Sequence, residues 1–349
     1  MLRPGLSALA VLCLACSALD PGAQGREVDP AGRPRDQTLF QVCEDSPPPS
    51  GIATDQWRHW ASTLITWAGP WHSGQDVITV AGADAVLRAK LAYGVLSKDL
   101  EDEWVEVWID RCGQLEWLDA ARTDADGRVA LTVEADRVPL VGRHRVHFRV
   151  AGDGTGNWAT LHVLPPATKL AVFDIDGTLT TSDWELVEDL ASDVFNPIRH
   201  GASPQARAAA ADTTRARDEQ GYVVVYLTGR PYSLTGRTRD WLRDQAMAPG
   251  ALVTAQRSAD ALPFESGVGA YKADYLADLE LLGFTIELAY GNAATDVFAY
   301  DEAGIDVAST FILGRHGGEN GTVALGDSFE SHLATASKDA IEQPFERDE

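Results

Sequence analysis

The sequence predicts two folded units in series: a small antiparallel β-sandwich, then an α/β unit built on a doubly wound parallel sheet. Three observations carry this. Between residues 77 and 163, short segments alternate apolar and polar residues, the period of half-buried strands. Beyond Pro165-Pro166, short apolar runs alternate with helical stretches, which argues for a parallel sheet covered on both faces. At 349 residues the chain has the length of about two domains.

The elements follow in order. Residues 1–16 read as a signal peptide: Arg3, then the apolar stretch Leu6–Ala15, too short to span a bilayer. Leu14-Ala15-Cys16 resembles a bacterial lipoprotein cleavage box, with Cys13 departing from its usual Leu or Val. The expectation is an exported bacterial protein, anchored in a membrane by lipid on Cys16 and otherwise secreted. No later apolar run reaches the ~20 residues of a spanning helix, so none is expected in the mature chain. Residues 17–56 form a Pro- and Gly-rich tether. Cys43 and Cys112 are then the remaining cysteines, and in an oxidising compartment they can pair.

Residues 57–165 hold a Trp-rich segment and the sandwich. Trp57, Trp60, Trp67 and Trp71 are expected to pack on the following strands rather than to sit at lipid headgroups, because few cations accompany them. Strands are expected at 77–80, 104–109, 129–133 and 144–150, in a sandwich of immunoglobulin-like type. The α/β unit runs over 166–335, with strands at 170–173, 222–227, 251–254, 286–290 and 310–313. Its helices are expected at 204–220, 233–245, 270–282 and 295–303. Residues 183–203 leave room for a small cap or none, and 336–349 is an acidic tail.

Charge narrows the partners. Lys+Arg number 29 against Asp+Glu 52, a formal charge of −23. Nucleic-acid backbones are held by Lys and Arg, so no nucleic acid is expected. A phosphorylated substrate would need local cations or a metal.

Three strand ends concentrate such chemistry, where open parallel sheets bind their ligands. Phe173-Asp174-Ile175-Asp176-Gly177-Thr178 places two carboxylates just past an apolar strand, which suits a Mg²⁺ ion with its hard oxygen ligands. Thr228-Gly229-Arg230 sets a hydroxyl, an amide and a guanidinium before a helix, which suits phosphate oxygens. Gly291-Asn292-x-x-x-Asp296 adds an amide and a carboxylate, and Lys272 stands between the second and third sets.

This ordered set resembles the haloacid dehalogenase superfamily, whose fold is a Rossmann-like doubly wound sheet. Residues 174–183, with Asp174-x-Asp176-Gly177-Thr178-x-Thr180-x-Ser182-Asp183, are similar to the signature of the lipins, Mg²⁺-dependent phosphatidate phosphatases. Asn292, where the superfamily more often has Asp, speaks for the same branch. Tyr226–Pro231, Trp241-Leu242, Val150–Asp153 and Val163–Pro166 are closer still to the carboxyl-terminal lipin-like domain of the Nir/retinal-degeneration-B phosphatidylinositol transfer proteins. The resemblance covers about 140–335. Those transfer proteins tend to lack the first Asp and to bind phosphatidate; this chain keeps Asp174.

The resemblance implies phosphate-monoester hydrolysis on a phospholipid at a membrane surface, with phosphatidate giving diacylglycerol and phosphate. Asp174 would attack phosphorus to form an aspartyl-phosphate, and Asp176 would act as general acid and then base. Mg²⁺ would be held by Asp174, the Asp176 carbonyl, Asn292 and Asp296. Thr228 and the Gly229 amide would hold phosphoryl oxygens, and Lys272 would stabilise the transition state. Arg230 fits phosphate binding and a structural ion pair equally. Two other readings stay open: a non-catalytic phosphatidate-binding module, and a phosphatase for a soluble monoester.

Overall fold

The structure is a computed structural model and describes residues 39–49, 56–94, 97–181, 204–255, 265–336 and 338–347. Cys16 and the candidate cap at 183–203 lie outside these residues.

The α/β unit rests on six strands. Across the sheet they run Gly250–Ala255, Val223–Pro231, Lys169–Phe173, Thr285–Gly291, Thr310–Leu313 and Val323–Gly326. Every pairing between them is parallel. The chain builds outward in one direction from Lys169–Phe173 and then returns to build the other way. The switch point, where such sheets open a crevice, therefore lies at the end of that strand. Strand alternation explains the two covers. Leu170 and Val172 face Leu276, Leu279, Val297 and Tyr300, while Ala171 and Phe173 face Trp241, Leu242 and Phe329. Fully burying such side chains contributes ~1.5–3 kcal/mol each. Helices span Ala210–Glu219, Thr235–Asp244, Ala270–Leu281 and Ala294–Glu302.

One helix starts later than the sequence suggests. Ser203-Pro204 offers a cap and a first turn, yet the helix begins at Ala210. Two contacts fix Pro204–Ala209 as a loop. The Pro204 carbonyl accepts from Trp241 Nε1, and Ala206 bridges to Thr180.

The sandwich packs a seven-stranded sheet against a three-stranded one, Ser73–Gln75, Ala85–Lys90 and Arg128–Val133. Its core sets Leu87, Val129 and Val133 against Val107, Val146, Phe148 and Leu161. It is not wholly antiparallel. Val77–Val80 runs parallel to Gly156–Leu164, and Leu39–Cys43 runs parallel to Gly142–Val150. Part of the tether is thus a strand, and Cys43 is bonded to Cys112. The acidic tail packs too, because Phe345 is apolar enough to bury. It lies 5.1 Å from the Phe40 ring, and Glu346–Arg347 pairs with Leu39-Phe40.

Of the four tryptophans, only two pack. Trp57 lies against Gly152 and the sandwich core, and Trp71 lies under the Arg237 guanidinium. Trp60 and Trp67 are 77% and 87% exposed, with Leu64 between them at 56%. Their turn and short helix are held to the sandwich by Ile65, which packs on its core, and by Ser62, whose Oγ donates to Glu103. Trp60 and Trp67 point away, so the expected packing fails at these two positions.

The units are tied through Asp76. Its carboxylate accepts from Arg239 Nη2 at 2.7 Å and from the Leu252 amide at 2.9 Å, on the outer strand of the parallel sheet. Ser73 Oγ donates to the Tyr232 carbonyl, and Thr254 Oγ1 donates to Gln75 Oε1. The sandwich thereby braces the loop that follows Val223–Pro231.

Candidate active site

The Lys169–Phe173 strand ends with the Asp174 amide donating to the Tyr290 carbonyl, the last backbone bond before the turn. Gly177 supplies that turn with φ of 76°, a left-handed conformation suited to glycine. Asp174 is buried. Its Oδ1 accepts from Lys272 Nζ at 2.6 Å and its Oδ2 from Thr178 Oγ1 at 2.8 Å. The same Lys272 Nζ donates to Asp296 Oδ1 at 2.6 Å. Asp296 Oδ2 accepts from the backbone amides of Asn292 and Ala293. Gly291 must be glycine here, because a Cβ would fall 2.5 Å from that of Asp296.

One ammonium thus serves two buried carboxylates. Burial pushes the Asp174 carboxyl up, to about 7, against the pull of Lys272 and with Asp296 and Asp176 adding to the rise. Burial opposes the charge on Lys272, but Asp174 and Asp296 outweigh it and hold the ammonium above its ordinary range. Thr178 Oγ1 also lies 3.0 Å from Asn292 Oδ1. Its single proton cannot serve Asp174 and Asn292 at once.

Asp176 belongs to a second group. Arg230 grips both of its oxygens, with Nε at 3.1 and 2.9 Å and Nη2 at 2.8 Å. Thr228 Oγ1 donates to the same carboxylate at 3.2 Å, and Arg230 Nη1 donates to Thr238 Oγ1. The structural ion pair, left open by the sequence, is what Arg230 makes. Thr228 is likewise directed at Asp176. Gly229 is set by packing, since a Cβ there would meet Val268 at 2.7 Å.

The structure therefore brings Asp174, Lys272, Asn292 and Asp296 together, and Asp176, Thr228 and Arg230 beside them. Cys43 and Cys112 lie in the sandwich, apart from both. Among the described residues, no three His, Cys, Asp or Glu side chains converge as a metal cluster. Two residues escaped the sequence reading. Thr178 could have been found, as a hydroxyl inside the Asp-rich turn. Arg207 could not: its guanidinium donates to the carbonyls of Gly177, Thr178 and Asp327, a fixture visible only once the chain has folded.

Comparison with known proteins locates the chain. Residues 70–163 match the family model "PITM 1-3, beta-sandwich domain", and residues 171–314 match "PITM 1-3, LNS2 domain". Protein retinal degeneration B of Drosophila melanogaster is 32% identical over 273 residues, 75% of this chain and 20% of that protein. Human membrane-associated phosphatidylinositol transfer protein 3 is 29% identical over 75% of this chain and 26% of its own length. Human membrane-associated phosphatidylinositol transfer protein 1 is 30% identical over 70% and 18%. The chain spans about a fifth to a quarter of the length of these relatives.

These matches correct one expectation. The relatives are animal proteins, two of them named as membrane-associated, and the reading as an exported bacterial lipoprotein is overturned. Both successive domains are matched in order, so the chain carries a β-sandwich domain over 70–163 and an LNS2 domain over 171–314 of the PITM 1-3 type.

Proposed function

We propose that this chain is a phospholipid phosphomonoesterase of the haloacid dehalogenase type that acts on phosphatidate or a related lipid through Asp174. The observation that carries the reading is the Asp174–Lys272–Asp296 cluster at the switch point of the parallel sheet. Thr178 and Lys272 each hold one oxygen of Asp174, so the carboxylate that must face phosphorus is fixed before substrate arrives. In-line attack forms the Asp174 acyl phosphate and expels the lipid alkoxide; water then attacks phosphorus and frees phosphate. Lys272 lies on Asp174 Oδ1 and can neutralise charge on the incoming phosphoryl oxygens.

Mg²⁺ suits the donor set. The carboxylates of Asp174 and Asp296, the Asn292 amide oxygen and the Asp176 carbonyl are hard oxygens, and Thr178 has one proton for two of them. When bound there, the ion would offset repulsion between the Asp174 carboxylate and the phosphate.

A membrane surface suits the substrate class. Trp60, Leu64 and Trp67, spaced four and three apart, present apolar area to solvent, and Trp favours the headgroup level. Six residues beyond Trp67, Ser73 bonds the Tyr232 carbonyl, two positions past Arg230.

A second reading, phosphatidate binding without hydrolysis, draws on Asp176. A carboxylate with both oxygens accepting from one guanidinium has no proton to give a leaving alkoxide. Hydrolysis requires that pair to open, as when phosphate oxygens draw Arg230 away. The test is phosphate release from mixed-micelle phosphatidate against a panel of soluble phosphomonoesters, with and without Mg²⁺. Mg²⁺-dependent release from phosphatidate is expected. Binding without release selects the second reading, and release from soluble esters alone sinks the lipid assignment.

A further inference from the structure

A cavity of about 500 Å³ lies at the opposite, amino-terminal end of the parallel sheet, where the sandwich meets it. One wall is the outer face of the seven-stranded sheet. Arg143 and His162 are direct cross-strand partners there, and their neighbours Leu161 and Val163 point the other way, into the sandwich core. The facing wall is made by the strand starts, Val223-Val224 and Pro249-Gly250, with Asp218 and Arg347 beside them. Leu39–Val42 closes a side.

The polar groups on these walls are unusual. His162 is 1% exposed and neither ring nitrogen has a hydrogen-bond partner. The Nε atoms of Arg143 and Arg347 are also buried without a hydrogen bond. The Arg347 terminal nitrogens are spent on Asp218, Gly221 and Tyr222, so only its Nε is left over. Arg143 Nε forms an ion pair with Glu44 Oε1 at 3.8 Å, too long for a hydrogen bond. Each buried polar group left unpaired costs ~1–3 kcal/mol, so four around one cavity imply that something satisfies them. Burial pushes the His162 imidazole down to about 4, so at neutral pH it offers one N–H and one lone pair.

We propose that this cavity is a second ligand site, distinct from the Asp174 cluster, for a small amphiphile with an oxyanion head. Three N–H groups, from Arg143, Arg347 and His162, take the oxygens, and guanidinium N–H groups favour charged ones. Leu39, Phe40, Val223 and Pro249 take the apolar body. The volume falls within the range of small-molecule sites, roughly 300–1,000 Å³. A carboxylate and a phosphate monoester share this head chemistry.

The test is calorimetric titration of the full chain with octyl phosphate, octanoate and, as a neutral control, octanol. In Mg²⁺-free buffer, which prevents turnover at Asp174, saturable binding of octanoate, and of octyl phosphate in a component that Asp174→Asn retains, is expected, at least tenfold tighter than octanol. The arm that binds names the head. Arg143→Leu and His162→Phe should each weaken it tenfold or more, whereas Asp174→Asn should leave it intact. No saturable binding by either anion would mean a cavity held by water alone and overturns the proposal. So would equal affinity for octanol, or affinity unchanged in Arg143→Leu. Should those variants fail to fold, the His162 ring resonances of the unaltered protein give the same answer by NMR. They should shift on titration, and binding that leaves them unmoved places the ligand elsewhere.

Discussion

At the carboxyl end of the parallel sheet, Asp174, Lys272, Asp296, Asp176 and Arg230 all meet oppositely charged partners within 3.1 Å. At the amino end, Arg143, Arg347 and His162 line a cavity and each buries a nitrogen that makes no hydrogen bond. Both ends bury ionisable groups under the same sheet. The difference is closure. A closed network holds reacting groups in one geometry, while open donors are useful only when a ligand completes them.

Five outcomes would break or sharpen that contrast. The largest is expected at Asp174. Asp174→Asn should reduce phosphate release from phosphatidate to the uncatalysed level with the melting temperature little changed, and residual turnover near wild type would remove it as nucleophile. Next is Asp176→Asn, whose loss should be ~10²–10⁴-fold on an alkyl phosphate. On nitrophenyl phosphate, which needs little protonation to leave, the first phosphoryl-transfer step should suffer far less. Equal losses in burst kinetics would rule out an acid at this position.

Lys272→Met tests closure as a stability effect. It leaves Asp174 and Asp296 buried without their shared ammonium, so urea unfolding should show a loss of about 3–5 kcal/mol. A loss below 1 kcal/mol would show that the network is not closed around the lysine. At the other end, His162 has a folded pKa of about 4 against 6.5 unfolded. A depressed histidine contributes stability fully above pH 6.5 and loses it as pH falls toward 4. The share of a fully buried group is up to roughly 3 kcal/mol. His162→Gln should flatten the pH dependence of unfolding across that window, and an unchanged slope would mean that the ring is wetter than its burial says. The smallest stability effect is expected at the exposed tryptophans. Trp60→Ser and Trp67→Ser should change stability by less than about 0.5 kcal/mol yet reduce sedimentation with phosphatidate-containing vesicles. Undiminished sedimentation would exclude this segment as the membrane contact.

Much of the α/β unit was legible because buried parallel strands are written as apolar runs with polar tips. Thr310–Leu313 matches residue for residue, and Lys169–Phe173 and Ala270–Leu281 match within one. The sixth strand, Val323–Gly326, was missed because it is short and only Leu325 is buried. The helix at Ala210 was misread because Ser203-Pro204 is a good local cap, and a local signal cannot know that Trp241 will claim the Pro204 carbonyl.

For the candidate site, residue type and order identified Asp174, Asp176, Lys272, Asn292 and Asp296, since each stands just past a strand or in a following helix. Sequence alone determined which groups the sheet would carry to its carboxyl end. Only the tertiary structure decided how they pair. Lys272 reaches Asp174 from 98 positions away, and Arg230 reaches Asp176 from 54. Asp76 ties the two units across 163. Periodicity reports which face a residue takes within its own element. Pairing depends on where separate elements meet, and that distance is set by packing of the two cores.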